Sequence, residues 1–167
     1  VGILQHPVAL PLQPGTFLRW RWRVDSLPLD LREDSMPSHD YLSIAVEFDD
    51  GKDLTYFWSA TLPVGTVFRC PLPAWKDKET HMVVRSGLDE LGRWLEERRD
   101  VHVDGQQVRH RAGRRGTASA ACGIGRLTFQ AAVALPFEDD DPVAVELVGL
   151  DEHRALSAAV TCPSRHD

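Results

Sequence analysis

The sequence predicts a mainly β protein, an antiparallel β-sandwich with one short helix. Apolar and polar residues alternate with a period of two in several short runs, and Gly and Pro punctuate those runs. Short strands divided by turn chemistry favour a sandwich or barrel over alternating βαβ units.

The first run extends from Phe17 to Val24, behind a Pro14-Gly15 turn. Leu18, Trp20, Trp22 and Val24 share one parity, and Arg19, Arg21 and Arg23 share the other. That pattern marks a strand with one buried and one wet face. A second run, Tyr41 to Phe48, places Leu42, Ile44, Val46 and Phe48 together. Asp49-Asp50-Gly51-Lys52 then reads as a hairpin turn, because Gly accepts positive φ without a Cβ penalty. The return strand, Leu54 to Ala60, sets Leu54, Tyr56 and Trp58 against Thr55, Phe57 and Ser59. After the break at Pro63 and Gly65 come two shorter strands, Thr66 to Cys70 and Thr80 to Arg85. Leu88, Leu91 and Leu95 have helical spacing, which predicts a short helix within Leu88 to Arg99 and a strand after it. The alternative is a strand over Gly92 to Val103.

The chain has 167 residues, 43% of them apolar and 26% charged, enough for one well-cored domain and too apolar for disorder. No apolar run reaches the length of about 18 residues that a membrane span needs. A net charge of −6 argues against a nucleic acid partner, which is usually held by a basic surface. The chain opens on Val1 rather than Met, so we expect a preceding segment to have been removed, and a leader would lie there. Cys70, Cys122 and Cys162 are far apart and form no Cys-x-x-Cys pair, so no structural zinc site is expected. One disulfide plus a thiol, or three thiols, both fit.

Leu18-x-Trp20-x-Trp22-x-Val24 resembles the opening of a bacterial family known as domain of unknown function 3047. The resemblance continues through Tyr56-x-Trp58, Leu62-Pro63-Val64-Gly65-Thr66, Val83-Val84-Arg85-Ser86-Gly87, and Gly92-x-Trp94-x-x-Glu97-Arg98-Arg99-Asp100-Val101. It covers roughly residues 4 to 104. It implies a jelly-roll-like sandwich in an often exported protein, periplasmic or secreted, and it implies no reaction.

Three segments are therefore expected: a sandwich body over 1–104, a basic Gly/Ala/Arg-rich linker-like stretch over 105–125, and additional strands or a poorly packed tail over 126–167. Residues 105–125 hold four Arg and no acid, and no Lys follows Lys78. A shift of coding frame near residue 104 would leave such a change, as would divergence of the tail. An intact family-like tail in another frame of the source DNA is the expected result for a shift, and its absence would exclude one. Leu127 to Leu135, Val143 to Val148 and Ala155 to Thr161 are the apolar stretches able to add strands.

Candidate chemistry is sparse. Exposed aromatics stack on sugar faces, but Trp20 and Trp22 share parity with Leu18 and Val24 and read as core. Trp75, in a Pro-flanked loop, and Trp94 are the better platform candidates. Arg19, Arg21 and Arg23 form a row suited either to an anionic ligand or to pairing with acids on a neighbouring strand. Asp49, Asp50 and Asp53 resemble a small calcium loop without its full pattern, and a plain turn is the simpler reading. A second acidic group, Glu138 to Asp141, reads as a surface turn. His39-Asp40, in the long loop from Leu27 to Asp40, is the pair that invites a general-base reading, with Asp orienting the imidazole. His81, Arg85 and Glu97 are the first residues to inspect for catalysis. Cys122-Gly123-Ile124-Gly125 is too short for a dinucleotide fingerprint, and no cofactor is expected.

Three functions fit: a non-catalytic module for a carbohydrate or small ligand, a hydrolase or lyase acting on a saccharide or small metabolite, or a structural assembly domain. Buried Trp20 and Trp22 would confine an aromatic platform to Trp75 and Trp94.

Overall fold

The structure, a computed structural model, describes residues 2–27, 32–35, 42–111, 123–131, 143–148 and 155–160. Ten strands and one helix follow in chain order among these: β1 (Gly2–Pro11), β2 (Phe17–Trp22), β3 (Leu42–Phe48), β4 (Asp53–Ser59), β5 (Val67–Arg69), β6 (Glu79–Ser86), β7 (Leu95–Asp100), α1 (Val101–Arg111), β8 (Gly123–Ala131), β9 (Val143–Val148) and β10 (Ala155–Val160). A six-stranded sheet has the order β1-β8-β3-β4-β6-β5, and a four-stranded sheet the order β10-β9-β2-β7. The fold is mainly β with one short helix.

The alternation read in the sequence decides what lies between the sheets. Leu18, Trp20 and Trp22 from β2 join Ile44, Val46 and Phe48 from β3, Leu54, Tyr56 and Trp58 from β4, and Met82 and Val84 from β6 in one buried cluster. Trp20 is 1% exposed, and Trp22 and Trp58 are 0%. The Trp20 ring stacks on Tyr56 at 5.5 Å, and Trp22 meets Trp58 at 5.9 Å, so the two sheets are joined ring to ring. Such pairs add about 0.5–1.5 kcal/mol each beyond the area they bury. The β3–β4 hairpin forms with Gly51 at φ 72°, as its turn sequence requires.

The other face of β4 is buried too. Phe57 packs with Leu62, Val83 and Phe68 in a second, smaller cluster on the outer side of the six-stranded sheet.

Three features differ from the sequence reading. β1 was not anticipated; its prolines, Pro7 and Pro11, break the alternating pattern. They are tolerated because β1 is an edge strand, where a missing N–H costs no ladder bond. The six-stranded sheet is mixed rather than antiparallel, because β4 and β6 run parallel. The long connection between them carries β5, which folds back antiparallel on the far side of β6.

The helix is also displaced. Leu88 to Leu91 is turn, not helix, and Leu88 is 58% exposed. Gly87 and Gly92, at φ 83° and 73°, bracket this stretch, and the Gly92 N–H donates to the Val24 carbonyl at 2.8 Å. The chain then enters β7, and helix starts only at Val101. Asp100 caps it by accepting from the Val103 N–H at 3.0 Å. Gly105 to Arg111, within the stretch read as linker-like, are helical. Gly105 lets α1 approach β3, since a Cβ there would lie 3.3 Å from the Phe48 ring.

The helix is fastened by charge. Asp104, 3% exposed, accepts from Arg99 Nε at 2.8 Å and from a second guanidinium nitrogen at 2.6 Å, and also from the Tyr56 hydroxyl at 3.0 Å. Burial, reinforced by the Asp104 carboxylate, drives the Tyr56 hydroxyl well above its ordinary pKa. β8 lies between β1 and β3, and β9 between β10 and β2. Val143 to Val148 and Ala155 to Val160 are thus strands, as their sequence patterns allow. No helix among the described residues is long and apolar enough to cross a membrane.

The Asp104 network sets a stability test. Asp104→Ala leaves Arg99 and Tyr56 without their shared partner and is expected to cost about 3–5 kcal/mol in urea denaturation. Tyr56→Phe, which removes one hydroxyl, should cost only about 1 kcal/mol.

Candidate ligand-binding site

The parity that buries Trp20 and Trp22 also turns Phe17, Arg19 and Arg21 to the outer face of the four-stranded sheet. Antiparallel pairing with β7 sets Arg98 opposite Arg19 and Glu96 opposite Arg21. Glu146 on β9 is the other register partner of Arg19. The Arg21 guanidinium lies 5.5 Å from the centre of the Trp94 ring, and Arg98 sits 3.4 Å over Phe17. Arg23, just past the strand, pairs with Asp25 at 2.9 Å. This exposed face therefore joins Arg19, Arg21, Arg23 and Arg98 to the half-buried rings of Phe17 and Trp94. Like charges opposite one another across a ladder are unfavourable, and Glu146 and Glu96 are the acids among the register partners of this row.

Trp75 is remote from this face in the chain and lies in the turn before β6. It is 44% exposed, and Lys78 Nζ sits 5.1 Å above its ring. No structural contact links Trp75 with Trp94 among the described residues.

The three turn aspartates do different work. Asp49 accepts from the Gly123 N–H at 2.8 Å, which ties the hairpin to β8. Asp50 accepts from the Lys52 N–H at 3.1 Å within the turn. Asp53 points toward Lys78 Nζ at 3.5 Å, and its Oδ1 is buried without a hydrogen bond. Burial lifts the Asp53 carboxyl to about 6; Lys78 opposes the rise, and Glu47 and Glu79 add to it.

Arg85 and Glu97 do meet. Arg85 donates to Glu97 Oε1 from Nε at 2.8 Å and bonds Glu90 at 2.6 Å. Glu97 Oε1 also accepts from Trp22 Nε1 at 3.3 Å. Burial works against the Arg85 charge, but the two carboxylates outweigh it and raise its pKa. The pair is a tie across the rim of the core. His81 stands apart from it, on the opposite face of the six-stranded sheet, stacked on Phe68 at 5.1 Å and edge-on to Phe57 at 5.7 Å. The three residues singled out for catalysis thus divide between two places. Around His81 lie Cys70 and Glu79, which sequence reading did not connect with it. His39 and Asp40, and Glu138 to Asp141, lie outside the described residues, as do Cys122 and Cys162.

Asp53 gives a pH test. Its folded pKa lies above the ordinary 3.8, so the ionised carboxylate costs stability in the folded state. That cost is absent below about pH 4, grows as pH rises toward 6, and is complete above it, amounting to about 2–3 kcal/mol. Asp53→Asn should therefore stabilise the protein by about 1–3 kcal/mol at pH 7 and by nothing at pH 3.5, in paired urea denaturation curves.

A model of the family described as "Protein of unknown function (DUF3047)" matches residues 1–120. No curated protein and no solved structure matches the chain. The match takes in β1 through α1, and with them the Trp-rich core strand, the Arg85–Glu97 tie and the Arg face. It also runs past residue 104, where the resemblance read from motifs ends. The chain belongs to the DUF3047 family.

Proposed function

We propose that this protein is a non-catalytic ligand-binding module whose ligand is an anionic carbohydrate, held on the outer face of the four-stranded sheet. The two sheets would then act as a jelly-roll-like sandwich of the kind that hosts lectin sites, an analogy of fold only. The observation that carries the reading is the Arg21–Trp94 contact beside the facing Arg19 and Arg98. A sugar ring packs its apolar face on an indole, and its carboxylate or sulfate takes paired N–H donors from a guanidinium. Arg21 on β2 and Trp94 just before β7 would give a ligand one ionic and one stacking contact.

Burial of Trp20, Trp22 and Trp58 removes the rest of the aromatic set from consideration and leaves Trp94 as the platform nearest the Arg row. Trp75, under Lys78, offers a second and separate surface. For hydrolysis or elimination the polar groups would have to converge on one open cleft. Arg85 and Glu97 are already satisfied by each other, by Glu90 and by Trp22.

Titration calorimetry against uronate-containing, sulfated and neutral oligosaccharides tests the reading. Acidic saccharides should bind, and binding should weaken as salt rises, since the contacts are exposed. Arg19→Ala with Arg21→Ala should weaken binding at least tenfold, and Trp94→Ala should weaken it for every saccharide that binds. Absence of any saccharide ligand, or binding indifferent to these changes, would contradict it.

A further inference from the structure

We propose that Cys70, Glu79 and His81 form a zinc site on the outer side of the six-stranded sheet, separate from the Arg face. Their ligand atoms all lie within 4.8 Å of one another, and they are the one such group of three among the described residues.

Strand geometry assembles the set. Glu79 and His81 are two apart on β6 and so share a face. β5 runs antiparallel to β6 with Phe68 opposite His81 and Arg69 opposite Thr80. The Cys70 N–H then donates to the Glu79 carbonyl at 3.1 Å, which brings Cys70 beside Glu79 at the end of the ladder. His81 Nε2 is 3.7 Å from Glu79 Oε1. Tetrahedral zinc, with bonds of about 2.0 Å to nitrogen and 2.3 Å to sulfur, sets its ligand atoms roughly 3.3–3.6 Å apart. Closing the group around an ion therefore asks for small side-chain rotations and no movement of the strands.

The surroundings suit a resident ion. Cys70 and His81 are buried, while the Glu79 side chain keeps 13% exposure and offers the way in. The Phe68 ring lies parallel to the imidazole, 10° from coplanar, and Phe57 stands edge-on to it, so the ring is held in one orientation. Thr55 Oγ1 donates to Glu79 Oε1 at 2.9 Å and orients the carboxylate, as second-layer partners do at metal sites.

The donor set selects the metal. Thiolate and imidazole favour zinc and disfavour calcium and magnesium, which prefer oxygen alone. Binding takes the proton from the Cys70 thiol and releases it to solvent, so affinity should rise with pH. Three protein ligands leave a fourth position for water or a ligand oxygen.

Metal-free protein titrated with Co²⁺ and Zn²⁺ tests the site. One Co²⁺ should bind per chain, with tetrahedral ligand-field bands and a near-ultraviolet thiolate-to-cobalt charge-transfer band. That band should persist in a Cys122→Ser/Cys162→Ser variant and vanish in Cys70→Ser. Glu79→Gln, the change at the least buried ligand, should weaken zinc at least tenfold against a chromophoric chelator while circular dichroism shows the fold intact. Failure of folded wild-type chain to take up either metal would overturn the proposal. So would a charge-transfer band that survives Cys70→Ser, or zinc affinity unchanged by Glu79→Gln.

Discussion

The contact of Trp22 with Trp58, beside the stack of Trp20 on Tyr56, is the interaction on which the rest of this structure depends. These four rings come from one strand of each sheet and fill the space between them. Large flat side chains bury more area per residue than aliphatic ones and lose few rotamers in doing so. Once they face inward, period two leaves no freedom for their neighbours. Arg19 and Arg21 must face water, and a slip of one residue would exchange the two sets. The surface proposed for recognition is thus a consequence of how the core is packed.

Polar groups finish the core where the rings end. The indole nitrogen of Trp22 donates to Glu97, and that of Trp58 to the Gly87 carbonyl at 3.0 Å. Arg85 neutralises Glu97 from the other sheet, and Arg99 does the same for Asp104 from the neighbouring position on β7. Glu33 performs an equivalent task for its loop. It is 2% exposed and accepts from Ser59 Oγ at 2.7 Å and from the Ala60 N–H at 2.8 Å. Glu33, Glu97 and Asp104 each have a donor, which is the condition under which a buried charge is tolerable. These groups resemble catalytic residues in a sequence, because charge, burial and proximity are shared by both roles. Here Arg85 and Glu97 bond each other, with Glu90 and Trp22 as their further partners.

What the sequence made legible was what local pattern governs. β2, β3 and β4 declared themselves by alternation, and the Gly51 turn by its residue type. β1 did not, because Pro7 and Pro11 are acceptable only at an edge, and edge position is a property of the whole sheet. Leucine spacing over Leu88 to Arg99 predicts a helix there, but Gly87 and Gly92 adopt positive φ and Leu88 to Leu91 is turn. The real helix has only Val101 and Val108 in the core and is held by Asp104 and a close Gly105, a weak signal for periodicity. Site residues divided in the same way. The Arg row was visible in β2 itself, whereas Arg98 and Trp94 joined it only through the register with β7. Glu79-x-His81 was readable as a same-face pair, but Cys70 reaches it through the β5–β6 pairing, which no local spacing reveals.

The Arg face and the Cys70–Glu79–His81 group lie on the outer sides of different sheets and use different chemistry, and both presuppose that the tryptophans of β2 and β4 belong to the core. Fluorescence of a Trp75→Phe/Trp94→Phe variant measures that directly, since only Trp20, Trp22 and Trp58 then emit. The account predicts blue-shifted emission and acrylamide quenching several-fold weaker than in the wild-type chain. Red-shifted emission quenched as readily as an exposed indole would contradict it and return those rings to the surface.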